Sequence, residues 1–365
     1  MKIALVHDAL CNVGGAEKIF QYLCEEFDEA DIYTSCYNAN ETLGYYKTVN
    51  IRTTFAGKFI NNPKRFRLSL LYGMHSMENI NLSNYDVVIS SSASIAKYIK
   101  ANKGKHFSYC YYPTRAIWEA NKYFGRSILK YLIKPLIPYL KYREKKAVNG
   151  VDQFIAISKN TAEHIKQYYK RESEIIYCPI DTDNFYSTEN KLDHYLIVSR
   201  LEEWKKLDHA IEAFNILGYP LRIIGTGNTL KKLKNISGPN IDFLGFVDES
   251  KLAYEYSVAK AVIFTPELEY GLIPLEAIAS GTPVIAYGYG GINETMNPYS
   301  DESNIDENGY HTAVFYYEQS AKSLIAAIEK FETISFDTKE LINYAKRWDI
   351  ISFKKKFREY ITMNV

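Results

Sequence analysis

Short apolar runs recur along the chain at residues 2–6, 30–34, 86–89, 107–112, 154–158, 194–199, 221–224, 241–247, 261–265 and 284–287. Their length and β-branched content predict buried strands. Between several of them the apolar positions fall three and four apart, which predicts helices over 16–27 and 207–217, and again over 353–361, where Phe353, Phe357 and Tyr360 share one face. Ser158 suits the cap of a further helix beginning near Thr161, and a short helix is expected from the serines at 90–92 through Lys100. A mostly apolar, Tyr-rich stretch at 126–146 carries Arg126, Lys130, Lys134, Lys141 and Lys145 on one helical face, with Pro135 and Pro138 interrupting or restarting the helix. Strand and helix alternate to the end of the chain, the pattern of doubly wound parallel sheets.

Composition changes this picture in two ways. At 365 residues the chain is long enough for two full cores. The net charge is only +1, yet it divides unevenly: residues 1–180 carry 25 Lys and Arg against 16 Asp and Glu, and the remainder 19 against 27. The basic first part suits an anionic membrane face or acceptor, and no nucleic-acid partner is expected. Nine basic and two acidic residues fall between Arg115 and Lys146, so residues 122–146 are the expected membrane-resting segment. Five cysteines without a CxxC pair fit a reducing compartment. The short apolar opening and the lack of a long apolar run imply a cytoplasmic protein, peripheral on a membrane at most.

The candidate chemistry concentrates in residues 269–284, EYGLIPLEAIASGTPV. Pro274 suits a first helical turn and Gly281 the position just past a helix end, which makes this a strand–loop–helix–strand unit with Glu276 expected in the first turn. Gly271 lets backbone approach a ligand, the amides of Leu272 and Ile273 suit an anion, and a carboxylate beside them accepts hydrogen bonds from a ribose diol. Phosphates on amides and ribose on Glu276 describe a nucleotide. Gly14-Gly15 after the first strand is a second phosphate-type loop, and Gly225-Thr226-Gly227 lacks the third glycine of a dinucleotide fingerprint. Arg200 and Lys205 follow a strand end, where α/β folds place ligands. Gly288, Gly290, Gly291 and Glu294 make another flexible loop. Asp181-Thr182-Asp183 imitates a metal-binding DxD, but no metal-binding role is expected for it.

The segment 269–284 resembles the signature of glycosyltransferase family 4, retaining nucleotide-sugar enzymes of GT-B fold, through Tyr270, Gly271, Glu276, Ala277, Gly281, Pro283 and Val284. The resemblance extends to the His7-Asp8 opening of a mannosyltransferase-like branch, to Gly14-Gly15, to 154–158 and to the R-L-x-x-x-K segment at Arg200 and Lys205. It implies two facing Rossmann-like doubly wound domains, an acceptor-side one at 1–180 and a nucleotide-sugar-binding one at 181–349, with a C-terminal helix at 350–365 crossing back to the first. It also implies a metal-independent transfer of a hexose from a nucleotide-diphospho-sugar, GDP-mannose favoured, to a lipid-linked or polysaccharide acceptor. In that reading Arg200 and Lys205 clamp the diphosphate, Gly14 and Gly15 approach it from the first domain, Gly245 lies where backbone binds the base, and Glu276 holds the ribose. Two positions depart from the family. Its first glutamate falls on Leu268, which leaves Glu267 or Glu269 to substitute, and its sugar-contacting histidine falls on Tyr111, four residues before the matching Arg115. A catalytically weak nucleotide-sugar-binding subunit and a sugar epimerase of the same fold are the alternatives these departures keep open.

Overall fold

A computed structural model describes residues 1–59, 62, 70–124, 131, 133–300 and 310–365, which form two compact units. One comprises Met1–Cys178 with Phe353–Val365, the other Pro179–Ser352.

The first unit is a parallel sheet of seven strands in the order β3-β2-β1-β4-β5-β6-β7. These are β1 (Ile3–His7), β2 (Asp31–Thr34), β3 (Ile51–Thr53), β4 (Val87–Ser92), β5 (Lys105–Cys110), β6 (Gln153–Ala156) and β7 (Ser173–Ile175). β1, β4 and nearly all of β5 are buried along their whole length, as strands covered by helices on both faces must be. Strand order reverses at β1 and β4, whose register pairs Val6 with Ser90 and His7 with Ser91. Helix α1 (Gly15–Glu26) follows β1 directly. The expected helix after the serines is instead a single 3₁₀ turn, Ala96–Tyr98. Its entry is gathered by the Asp8 carboxylate, which accepts from the backbone N–H of Ala93 (2.7 Å), Ile95 (2.8 Å) and Ala96 (2.6 Å).

In the basic stretch, a 3₁₀ turn at Lys134–Leu136 leads into α2 (Ile137–Val148), so the two prolines mark the restart. Arg126 and Lys130 lie outside the described residues. α2 buries Leu140, Glu144 and Val148, while Tyr139, Tyr142 and Lys145 are exposed and Lys141 lies over the Trp118 ring at 4.9 Å. Ser158 caps α3 (Lys159–Tyr169), accepting from Thr161 N–H at 3.0 Å.

The second unit is a parallel sheet of six strands in the order β10-β9-β8-β11-β12-β13. They are β8 (Tyr195–Val198), β9 (Leu221–Ile224), β10 (Ile241–Gly245), β11 (Ala261–Phe264), β12 (Val284–Tyr287) and β13 (Ala313–Tyr316). Here the order reverses between β8 and β11, which are hydrogen-bonded neighbours. In such a sheet the loops leaving the two strands at the reversal diverge to opposite faces and open a crevice at their C-terminal ends. α4 (Leu207–Leu217) and α5 (Leu272–Ala279) follow those two strands.

The last helix, α6 (Ile350–Met363), packs on the first unit from Phe353 onward. Phe357 is fully buried against Phe27 and Tyr109, with ring centroids 6.2 and 5.3 Å away. Lys354 pairs with Glu25 at 2.7 Å and Arg358 with Glu26 at 2.5 Å, so α6 is fixed to the far end of α1 by both rings and charges.

Candidate functional site

On the second unit the site grows from the two strand ends at the reversal. β8 runs out at Val198, but its backbone pairing continues: Ser199 N–H donates to Ile224 C=O (3.0 Å), and Leu201 N–H to Thr226 C=O (2.9 Å). That extension holds Arg200 in place, and it needs the two glycines at 225 and 227. A Cβ at Gly225, whose φ is +132°, lies 1.9 Å from the Ser199 carbonyl oxygen, and one at Gly227 lies 2.3 Å from that of Leu201. The Gly-Thr-Gly segment is therefore a backbone seat for the Arg200 segment. Gly245, at φ +72°, completes it by accepting from Gly225 N–H at 2.7 Å beside a bulge in β10.

After Arg200 a 3₁₀ turn, Glu203–Lys205, ends in Lys206 at φ +55°, a left-handed conformation that costs a side-chain-bearing residue of order 1 kcal/mol. Thr265, at the end of β11, steadies the turn by donating its hydroxyl to the Lys205 carbonyl at 2.6 Å. The indole of Trp204 collects both cations: the Lys205 ammonium lies 4.3 Å from the ring centroid and the Arg200 guanidinium 5.9 Å. Arg200 is exposed and Lys205 largely buried. The loop and strand sequences pointed to the two cations; Trp204 and Thr265 carried no signal, since their roles depend on contacts that only the fold creates.

From β11 the chain passes through residues 265–271 into α5, which starts at Leu272 with Gly271 as its N-cap. The first turn therefore begins two residues before Pro274. Glu276 is the fifth residue of α5, not part of its first turn as expected, because Pro274 occupies the third helical position. Its carboxylate accepts from the Tyr256 hydroxyl at 2.9 Å. Burial, then the Glu276 charge, pushes the Tyr256 phenol well above its usual pKa, so it remains a donor to that oxygen. Gly271 is compact for a packing reason too, since a Cβ there meets the Phe264 ring at 3.0 Å and Pro274 at 3.2 Å.

The preceding loop is locked backbone to backbone. Leu268 bridges Gly290, and its carbonyl accepts from Gly291 N–H at 2.7 Å. A Cβ at Gly290 (φ +82°) falls 2.3 Å from the Leu268 carbonyl, and one at Gly291 falls 2.0 Å from that of Glu269. Gly290-Gly291 thus sets the position of Leu268 and Glu269. Glu267 lies on the Tyr287 side, where its charge adds to burial in raising that phenol's pKa. Arg200, Lys205, Gly245, Glu269, Gly271, Leu272, Ile273 and Glu276 all belong to this unit, at or beyond the C-terminal ends of its strands. Asp181 accepts from the side-chain amide of Asn184, and Thr182 donates to Asp349.

Gly14, Gly15 and Tyr111 belong to the first unit, likewise at strand C-terminal ends. Gly14 is the extended N-cap of α1, with Glu17 in the first turn. Tyr111 follows β5; its hydroxyl lies 2.9 Å from Ser91 Oγ and donates to the Ala16 carbonyl at 3.1 Å.

Comparison with known proteins places both units. The family model described as Glycosyltransferase Family 4 matches residues 13–184, and the one described as Glycosyl transferases group 1 matches 179–348. The chain is similar to the alpha-1,3/1,6-mannosyltransferase ALG2 of Candida glabrata, 22% identical, over 83% of this chain and 80% of that one. It also resembles the O-antigen chain mannosyltransferase RfbU of Salmonella typhimurium, 24% identical over 60% of this chain and 61% of that one. Among solved structures, Anabaena HepE in complex with UDP superposes with a TM-score of 0.71 at 16% identity over 100% of both chains. Sucrose-phosphate synthase from Thermosynechococcus elongatus does so with 0.74 at 15%, over 100% of this chain and 99% of that one. These likenesses establish the fold as GT-B. With two adjoining family models spanning nearly all of two parallel sheets, and mannosyltransferase relatives along most of the chain, the protein belongs to glycosyltransferase family 4 and is a glycosyltransferase.

Proposed function

We propose that the protein transfers a hexose from a nucleotide-diphospho-sugar to a glycan acceptor with retention of configuration. The observation that carries this reading is the convergence of Arg200, Lys205 and the N-terminus of α5 at the strand-order reversal of the second unit, with Glu276 one turn into the same helix. The diphosphate rests on the two cations and on the amides that open α5, where the helix dipole favours negative charge. The ribose diol donates to the Glu276 carboxylate, one oxygen of which Tyr256 already holds. As the glycosidic bond breaks, negative charge grows on the leaving diphosphate, and preorganised cations and amides stabilise it without reorganising. The acceptor hydroxyl attacks on the face the diphosphate leaves, and the departing phosphate takes its proton. Glu269 and Glu267 flank Leu268, and this reading gives them the role of the sugar-side carboxylate. No metal enters this scheme.

The ALG2 and RfbU relatives are named as mannosyltransferases, which favours GDP-mannose as donor. The acceptor in this reading is lipid-linked. Exposed Tyr131, Leu136, Tyr139 and Tyr142 accompany the cations of residues 131–146 and supply apolar contacts for an anionic bilayer surface. No helix among the described residues is long and apolar enough to cross a membrane. Each Lys or Arg near such a surface contributes about 1 kcal/mol. Co-sedimentation with anionic vesicles tests this: binding should fall with salt and with a Lys134/Lys141/Lys145 charge reversal. Protein left in the supernatant at low salt would instead favour a soluble acceptor. For the donor, a panel of nucleotide-sugars is the test, GDP-mannose being expected to support turnover and UDP-sugars not.

A further inference from the structure

Tyr111 stands where family resemblance puts a sugar contact, but its hydroxyl is already engaged at both ends. It donates to the Ala16 carbonyl (3.1 Å), in the first turn of α1, and lies 2.9 Å from Ser91 Oγ at the end of β4. Ser91 Oγ in turn lies 3.0 Å from His7 Nδ1 at the end of β1. A hydroxyl has one proton, and a carbonyl has none to give. Tyr111 must therefore spend its proton on Ala16, Ser91 must donate to Tyr111, and the His7 proton must sit on Nδ1 and point to Ser91. With all three contacts made, the chain has one direction only: His7 to Ser91 to Tyr111 to the Ala16 carbonyl.

Register makes this chain possible. His7 pairs with Ser91, and Ser91 with Tyr109, two residues before Tyr111, so three adjacent strand ends deliver the three groups side by side. His7 is buried and Ser91 fully so, and burial lowers the His7 pKa to about 4, which keeps the ring neutral. A second brace holds the next carbonyl of the same turn. Tyr46, fully buried, donates its hydroxyl to the neighbouring Glu17 carbonyl at 2.6 Å. The Phe20 ring of α1 stacks on His7 at 4.7 Å and on Tyr46 at 6.1 Å. Two phenols thus hold successive carbonyls of the turn whose N-cap is Gly14, and His7 takes part in both the hydrogen-bonded chain and the ring stack.

We infer that Tyr111 is a positioning residue: through Ser91 and His7 it ties the first turn of α1, and so the Gly14-Gly15 loop, to the sheet, and it does not contact the transferred sugar. The inference rests on the reading of that loop as a diphosphate contact. It moves specificity for the sugar away from Tyr111, and it makes His7 and Ser91 part of the loop's support.

The test compares Tyr111→Phe, which removes one oxygen and keeps the ring, with Gly14→Val and with Ser91→Ala, on two donors that share a nucleotide and differ in the sugar. Turnover, kcat/KM for each donor and the thermal midpoint are read for every variant. Tyr111→Phe should lower kcat/KM about tenfold for both donors by the same factor, leaving their ratio unchanged. Ser91→Ala should have a similar effect, and the double variant should be no worse than the poorer single one, because either change breaks the same chain. A changed sugar ratio in Tyr111→Phe would show that Tyr111 touches the sugar and overturns the inference. Full activity in Tyr111→Phe with an impaired Gly14→Val overturns the chain but keeps the loop reading. Full activity in both means the loop reading itself fails. If activity falls only in step with the thermal midpoint, the chain is structural alone and the positioning role is lost.

Discussion

Arg200 and Lys205 stand in different surroundings, and that difference decides how each responds to removal. Arg200 is exposed and backed by a backbone extension of β8, so Arg200→Ala should leave stability nearly unchanged while turnover falls about 100-fold or more, corresponding to roughly 2.7–4 kcal/mol of transition-state stabilisation. Lys205 is largely buried beside Trp204, and Lys205→Ala should cost both turnover and stability. Steady-state kinetics with parallel melts separates the two; activity within threefold of wild type for both variants would remove the clamp assignment. Glu276→Gln should weaken nucleotide affinity by about 1.5–3 kcal/mol in calorimetry, and Tyr256→Phe, which removes a neutral donor from the same carboxylate, by about 1 kcal/mol or less. Unchanged affinity in Glu276→Gln contradicts the ribose assignment. At this scale the residues proposed to meet ligand carry a mark in the sequence, through chemistry and spacing: two cations after a strand, a carboxylate within a helix. Tyr256, Thr265 and Trp204 were not, because what each touches is set by neighbours in space, twenty to sixty positions away for the first two.

Among the elements, most strands and helices fall where apolar periodicity places them; β12 and α4 match residue for residue. Departures have local causes. Asp8 collects the backbone N–H groups that follow β4 and tightens the expected helix into one 3₁₀ turn, and Gly271 caps α5 three residues ahead of Pro274, which moves Glu276 into the second turn. Gly225-Thr226-Gly227 reads from the sequence as an incomplete dinucleotide fingerprint and Gly290-Gly291 as part of a flexible loop, yet both are close backbone contacts that hold neighbouring site segments. Gly225→Ala therefore meets the Ser199 carbonyl and adds a left-handed penalty of roughly 1–3 kcal/mol before any displacement is counted. It should lower stability in denaturant melts and cut turnover through Arg200. Wild-type turnover in a folded Gly225→Ala variant would mean that the seat does not position Arg200. Phe357→Ala, emptying a fully buried site between α6 and the first sheet, should destabilise that unit by about 3–5 kcal/mol in the same melts. A loss below about 1 kcal/mol would show that α6 is dispensable to the unit.

For the whole molecule, buried histidines set the acid response. His7 and His106 in the first unit and His209 in the second are held near pKa 4 by burial, against about 6.5 when unfolded. Between those values the unfolded chain binds protons that the folded units refuse, so stability should fall as pH drops from about 6.5 to 4, with no contribution from these groups above that range. Melts across pH 4–8 check the slope, and a flat profile over pH 4–6.5 contradicts it. The two-sheet architecture was legible because strand and helix patterns alternate from end to end; the topological reversals at β1/β4 and β8/β11 were not, since strand order is a property of pairing and leaves no mark on a single strand. The β8/β11 reversal puts the second unit's site residues at one crevice, which in the proposed function serves sugar transfer from a nucleotide. The most direct measurement incubates the protein with a panel of nucleotide-diphospho-sugars, with and without an oligosaccharide acceptor, and follows nucleoside diphosphate release and the anomeric configuration of the product. Release is expected with donors of one nucleotide only, accelerated by acceptor, giving a retained linkage, and reduced about 100-fold in Arg200→Ala. An inverted linkage, or release that is the same in wild type and Arg200→Ala, would contradict the proposed function.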